Sequence, residues 1–220
     1  MEPKATIQRD TLSTQAYRAL RRAILARQYP PGTRLVVREL AEALGLSPTP
    51  IKEALAALAR EGLVQAMPHK GYQVPAPSPR DVREIYELRE ALEGLAARLA
   101  ALRGERTLGE RLEALLRTQE EAAGRGDLEA YGDLDLAFHR TLWEASGNER
   151  LRQAAENLNG LVRLLISTTA ALPGRLPASL VEHGFILEHI RTKDPEGAEN
   201  AMRHHVRQAW NALEAFFGLK

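Results

Sequence analysis

Asp135 and His139 stand four residues apart in the stretch DLDLAFHR, on the side of a helix that its other residues mark for burial. Leu128, Tyr131, Phe138 and Leu142 form the apolar stripe; its missing step is Asp135, and His139 follows one turn later. A carboxylate and an imidazole at this spacing can hold one ion or hydrogen-bond each other as a buried pair, and two residues do not choose between those readings. Two further helices carry the same irregularity. His183 interrupts Leu180, Leu187 and Ile190, and His205 interrupts Met202, Ala209, Leu213 and Phe216. His204 falls instead with Gln208 and Asn211, and His189 with Glu182 and Lys193, on wetter sides. An unpaired polar group in an apolar stripe costs about 1–3 kcal/mol, so Asp135, His139, His183 and His205 are expected to satisfy one another through a shared centre. Carboxylate and imidazole ligands suit a divalent Zn, Ni, Mn or Fe ion, and the chain has no cysteine to build a softer site. Four protein ligands could close a tetrahedral site or leave two positions open on an octahedral ion. Arg89 and Glu93 read either as the rim of a pocket, with Arg89 open to an anionic effector, or as an i,i+4 surface ion pair.

The elements that must position these side chains are helices. VPAPSPRD, residues 74–81, is a proline-rich linker, and its Ser78, Pro79 and Asp81 are a helix-start signature. Beyond it, helical periodicity and Gly/Pro punctuation predict six antiparallel helices with short connections. The first, over 79–102, carries the stripe Ile85, Leu88, Leu92, Leu95, Leu99, Leu102. The second, over 107–123, opens with Thr107 and Glu110 as a capping box, and the third runs over 127–145. The fourth, capped by Asn148, continues to Leu172; the fifth spans 177–192, and the last starts at Asp194-Pro195 and ends near Phe217.

The front of the chain reads differently. A helix over 12–27 precedes the turn YPPG, a short helix RELAEAL, a GLS turn and a helix over 49–60. LVQAM and YQV then form two short strands around the turn PHKG. Two helices joined by a tight glycine-containing turn are the geometry that sends a second helix into a major groove. Leu40, Ala41 and Leu44 are expected to pack on Ile51, Leu55 and Leu58, leaving Thr49, Lys52 and Ala56 outward. Thr49 as cap and Pro50 in the first turn would aim free backbone N–H groups and Lys52 at one anionic surface, where Arg38 and the hairpin tip His69, Lys70 and Gly71 add contacts. Charge agrees: residues 1–78 hold 11 Lys/Arg against 6 Asp/Glu, leaving 19 against 23 for the rest, so the front is the half that meets a polyanion. The absence of cysteine excludes a disulfide framework and suits the cytoplasm, and no apolar run approaches the roughly 18 residues of a membrane span.

LSPTPIKEALAALAREGLV, with PPGTRL before it and HKGYQV after it, resembles the winged helix-turn-helix of GntR-type transcription regulators. The helical remainder resembles the FCD ligand-binding domain of that family's FadR-like branch, so the likeness spans essentially the whole chain. It implies a DNA-binding domain over 1–74, a linker over 75–79 and an FCD domain over 80–220, a mainly α protein with one small α+β unit. It implies operator contacts from Arg38, Ser47, Thr49, Lys52, His69, Lys70 and Gly71, and metal ligation by Asp135, His139, His183 and His205, which match its D-x-x-x-H, EH and M-x-x-H positions. A small carboxylate effector and a homodimer on an inverted repeat are further implications. The chain departs from the family at Pro48 and Lys52, where many relatives carry Arg; one basic contact is absent, and a point charge replaces a bidentate guanine contact. The leading expectation is a sequence-specific repressor controlled by a carboxylate at a metal centre. The alternatives are a metal-dependent hydrolase or lyase with Glu182 as base, and a regulator that senses the metal itself.

Overall fold

The computed structural model describes residues 11–68 and 71–218, which fall into two compact units dividing between Ala76 and Pro77. The front unit contains α1 (Leu12–Leu25), β1 (Arg34–Leu35), α2 (Val37–Leu44), α3 (Pro48–Glu61), β2 (Gln65–Met67) and β3 (Gly71–Gln73). Thr11 caps α1 by accepting from the Thr14 N–H, and α1 lies on α3 through Glu61, which accepts from Tyr17 Oη at 2.6 Å and Arg21 Nε at 3.0 Å. The turn between α2 and α3 passes through Gly45 at φ +64°, a left-handed conformation that a side chain would strain. Leu40 and Ala41 are buried against the side of α3 that carries Ile51, Leu55 and Leu58, whereas Leu44, expected in that contact, is exposed at the end of α2. The expected hairpin gains a third strand: β1 pairs antiparallel with β3, Arg34 opposite Gln73, giving the order β1-β3-β2. A two-residue strand shows no alternation in sequence, which is why periodicity did not reveal it.

The back unit holds α4 (Pro79–Arg103), α5 (Leu108–Gly124), α6 (Leu128–Ala145), α7 (Glu149–Glu156), α8 (Asn159–Ala170), α9 (Arg175–Arg191) and α10 (Pro195–Phe217). The helix starts follow the capping chemistry. Ser78 and Asp81 exchange side-chain and backbone bonds, Asn148 accepts from the Leu151 N–H, and Asp194 accepts from the Gly197 N–H. Thr107 departs from expectation: its own backbone is already α-helical, so its hydroxyl makes no capping bond. The expected fourth helix is two, α7 and α8, making seven where six were expected. Weak helix formers Asn157, Asn159 and Gly160 cluster at the break, and Leu158 N–H reaches back only three residues to Ala155 O.

The core of this unit runs through every helix except α7 and includes Leu112, Phe138, Leu142, Ile166, Ile186, Met202 and Leu213. The α4 stripe is turned from its expected face. Leu88, Leu95 and Leu102 are 46%, 38% and 56% exposed, while Val82, Tyr86, Arg89, Glu93, Ala97 and Ala100 point inward. Arg89 and Glu93 can go inside because they neutralise each other and find further partners there. No single helix among the described residues is long and apolar enough to cross a membrane.

Candidate functional site

Three imidazoles from three helices meet inside the back unit. His139 of α6, His183 of α9 and His205 of α10 are all buried, with ring centroids 5.4 Å (139–183), 5.2 Å (139–205) and 4.6 Å (183–205) apart. One nitrogen from each lies within 4.8 Å of the others. Asp135, one turn before His139, places Oδ2 3.8 Å from His139 Nε2 and Oδ1 3.8 Å from His183 Nε2. These separations are too long for hydrogen bonds, and both Nε2 atoms are buried without a hydrogen-bond partner. The four residues that interrupted apolar stripes are therefore together in space.

The opposite nitrogens each lie against an oxygen, two of them in hydrogen bonds. His139 Nδ1 meets Glu93 Oε2, His183 Nδ1 lies 3.1 Å from Gln119 Oε1, and His205 Nδ1 lies 2.7 Å from Glu182 Oε2. Carboxylate and amide oxygens accept, so each Nδ1 carries the proton and each Nε2 is left with its lone pair. Outer carboxylates and amides that orient imidazoles in this way are the usual second layer of metal sites. Gln119 also donates Nε2 to Asp135 Oδ1 at 3.1 Å, so one amide aims both a carboxylate and an imidazole. Burial pushes His183 down to about 3, and burial with the neighbouring His183 and His139 holds His205 well below the ordinary histidine value. Both rings are neutral at neutral pH and need lose no proton to act as ligands. For Glu93 burial works against ionisation, but Arg89 and His139 outweigh it and bring the carboxyl down to about 2.

Arg89 is not on the surface but lines a cavity. It is buried with its Nε 2.6 Å from Glu93 Oε1 and its guanidinium 5.0 Å from the centre of the Tyr86 ring. Arg175 is its counterpart across the site, donating both terminal nitrogens to Glu182 at 2.8 and 2.6 Å. Both arginines border a narrow cavity of about 20 Å³ that reaches Asp135 and His205. Sequence reasoning missed Gln119 and Arg175. Gln119 does interrupt the run Leu108, Leu112, Leu116, the signal that exposed Asp135, whereas Arg175 has no apolar periodicity around it. Glu182, weighed as a free base, is occupied by Arg175 and His205.

In the front unit, Arg38, Ser47, Thr49, Lys52 and Gly71 are exposed; His69 and Lys70 lie outside the described residues. α3 starts at Pro48 with Ser47 as its cap position, so Thr49 is the second helical residue and not the cap. Pro48 and Pro50 have no N–H, which leaves Ser47 and Thr49 as the N–H donors among the first four positions. This helix end therefore offers fewer N–H donors to an anion, and more of any contact falls to side chains.

Residues 12–74 match the family described as bacterial regulatory proteins, gntR family, and residues 84–208 match the FCD domain. The probable D-xylose utilization operon transcriptional repressor of Paenarthrobacter nicotinovorans is 31% identical, over 90% of this chain and 87% of its own length. The HTH-type transcriptional repressor RspR of Escherichia coli is 30% identical, over 90% and 86%. Among solved structures, Escherichia coli McbR/YncC aligns with a TM-score of 0.74 and 25% identity, over 94% of this chain and 99% of that one.

Proposed function

The chain belongs to the gntR family of bacterial regulatory proteins, with an FCD domain behind its winged helix-turn-helix, and on that premise we propose a repressor whose hold on operator DNA is set by a small carboxylate at a divalent metal centre. The protein is a transcriptional regulator and not an enzyme. One observation carries the metal reading: two buried Nε2 atoms without partners face one carboxylate, while the Nδ1 atoms of His183 and His205 are held by acceptors and that of His139 lies against Glu93. Asp135, His139, His183 and His205 would hold the ion, and nitrogen and oxygen donors of this kind suit Zn, Ni, Mn or Fe. The ion would supply a Lewis-acidic positive centre for a carboxylate oxygen. Glu93, Gln119 and Glu182 orient the rings, and burial keeps His183 and His205 neutral. Arg89 borders the cavity with its charge matched by Glu93, so it would meet an effector as a hydrogen-bond donor and not as a free cation.

On the DNA side, exposed Arg38, Ser47, Thr49, Lys52 and Gly71 support operator contact through phosphates and base edges. A second copy of the chain is the natural cover for the leucines of α4: 88, 95 and 102 repeat every seven residues, the spacing of a helix-pairing seam.

The test uses a duplex that the protein selects from a randomised pool. Its affinity is measured by fluorescence anisotropy with chelated and metal-loaded protein, each with and without acetate and larger carboxylates. Metal and acid together should weaken binding by about tenfold or more, with little change from metal alone. A large change from metal alone would make the ion itself the signal. Undiminished metal content in Asp135→Ala and His183→Ala by elemental analysis would remove the centre.

A further inference from the structure

A second cavity, of about 270 Å³, opens between α4 and α10, and none of Asp135, His139, His183 or His205 lines it. Tyr86, Val206 and Trp210 form its apolar lining. The Tyr86 and Trp210 rings stand 5.9 Å apart and tilted by 42°, which offers a third ring both a face and an edge. Tyr86 is the partition between the two cavities: it lines both, and its hydroxyl feels Asp135 and Glu93 on the inner side. A volume just under the roughly 300–1,000 Å³ of drug-sized sites admits one ring or a fused pair.

Four charged residues border this space, and only two of them are matched. Arg207 Nε lies 3.2 Å from Glu90 Oε1. Arg83 and Glu87 have the i,i+4 spacing at which Arg80 closes on Glu84 at 2.7 Å and Arg89 on Glu93 at 2.6 Å, all on α4. Among the described residues, however, neither the Arg83 nor the Glu87 side chain forms an ion pair or hydrogen bond, and both stand exposed at the mouth.

We propose that this cavity binds an aromatic α-amino acid as its zwitterion, with the ring among Tyr86, Val206 and Trp210, the carboxylate on Arg83 and the ammonium on Glu87. Charge and apolar area sort the occupants. The four charges at the mouth sum to zero, and a zwitterion gives one partner to each open group. An aryl acid leaves Glu87 open, and an arylamine leaves Arg83 open. An amino acid without a ring leaves the aromatic lining to water. The inference does not rest on the metal reading.

The experiment is calorimetry on the full chain after chelation, repeated with zinc, using phenylalanine, 3-phenylpropionate, 2-phenylethylamine and alanine. Phenylalanine should bind one per chain with the same affinity in both states. The acid and the amine should each bind about fivefold more weakly, the worth of one exposed ion pair. Alanine should bind more weakly by about tenfold or more. Arg83→Gln should bring phenylalanine down to the level of the amine without changing the amine, and Glu87→Gln should bring it down to the level of the acid without changing the acid. Trp210→Leu should weaken all three ring-bearing probes alike. No saturable binding of phenylalanine, an acid or amine that binds as well as phenylalanine, equal losses for all probes in the charge variants, or binding that appears only with zinc would each overturn the assignment.

Discussion

His183 shows how far burial alone can alter a residue. Its unfolded value is near 6.5, whereas burial in the fold takes it to about 3, and His205 moves in the same direction. As pH falls below about 6.5, the unfolded chain takes up protons that these two rings refuse, so stability present above that pH is lost progressively toward the folded values. Each ring can contribute a slope of up to about 1.4 kcal/mol per pH unit. Glu93, brought down from 4.5 to about 2, begins to lose its contribution only below about pH 4.5, so it does not alter the change between pH 7 and pH 5. Urea unfolding of metal-free protein should therefore show a midpoint that falls between pH 7 and pH 5, with a shallower fall in His183→Asn; a flat profile would contradict the burial argument. The convergence of Asp135, His139, His183 and His205 was legible because each breaks an apolar stripe. What orients them was not. Glu93 and Arg89 stayed open between a pocket rim and a surface ion pair because the leucines of α4 claimed its inner face, and Gln119 gave the right signal from a residue type that seldom ligates.

At the scale of elements, two glycines inside helices have opposite reasons to be there. A Cβ on Gly132 of α6 would lie 2.6 Å from Arg163 Nη1, and that guanidinium cannot retreat: it is buried, bonded to Asp133 at 2.7 Å and to Glu129 O at 2.9 Å. A Cβ on Gly184 of α9 would meet nothing within 4 Å. Gly184→Ala should stabilise the back unit by roughly 0.5–1 kcal/mol, the gain in helix propensity. Gly132→Ala should lose about 1–2 kcal/mol despite the same gain, through overpacking. Denaturant midpoints of the two variants, moving in the same direction, would refute the contrast. Helix limits set by capping residues were readable within a residue or two at Ser78, Asn148 and Asp194. The division of α7 from α8 was not, because the apolar pattern continues across a break that only weak helix formers mark.

For the whole molecule, the exposed α4 leucines and the basic front half lead to one expectation. Leu95→Glu places a charge in the seam at a position already 38% exposed, so the fold should persist while the dimer does not. Sedimentation should give the 24.4 kDa monomer for the variant and twice that mass for wild type, and operator affinity should fall at least tenfold with the loss of the second reader. A variant with wild-type mass would place the contact elsewhere. The opposed net charges of the two halves were visible in sequence; the internal arrangement of charge was not. Among the described residues, Glu93 is matched by Arg89 and Glu182 by Arg175, which leaves Asp135 as the unmatched anion facing the empty Nε2 atoms. A dication held there by neutral imidazoles would stand one unit short of electroneutrality in a medium that penalises net charge. The centre would then sort its occupants by valence: a monoanion closes the deficit, a neutral molecule leaves it open, and a dianion overshoots it.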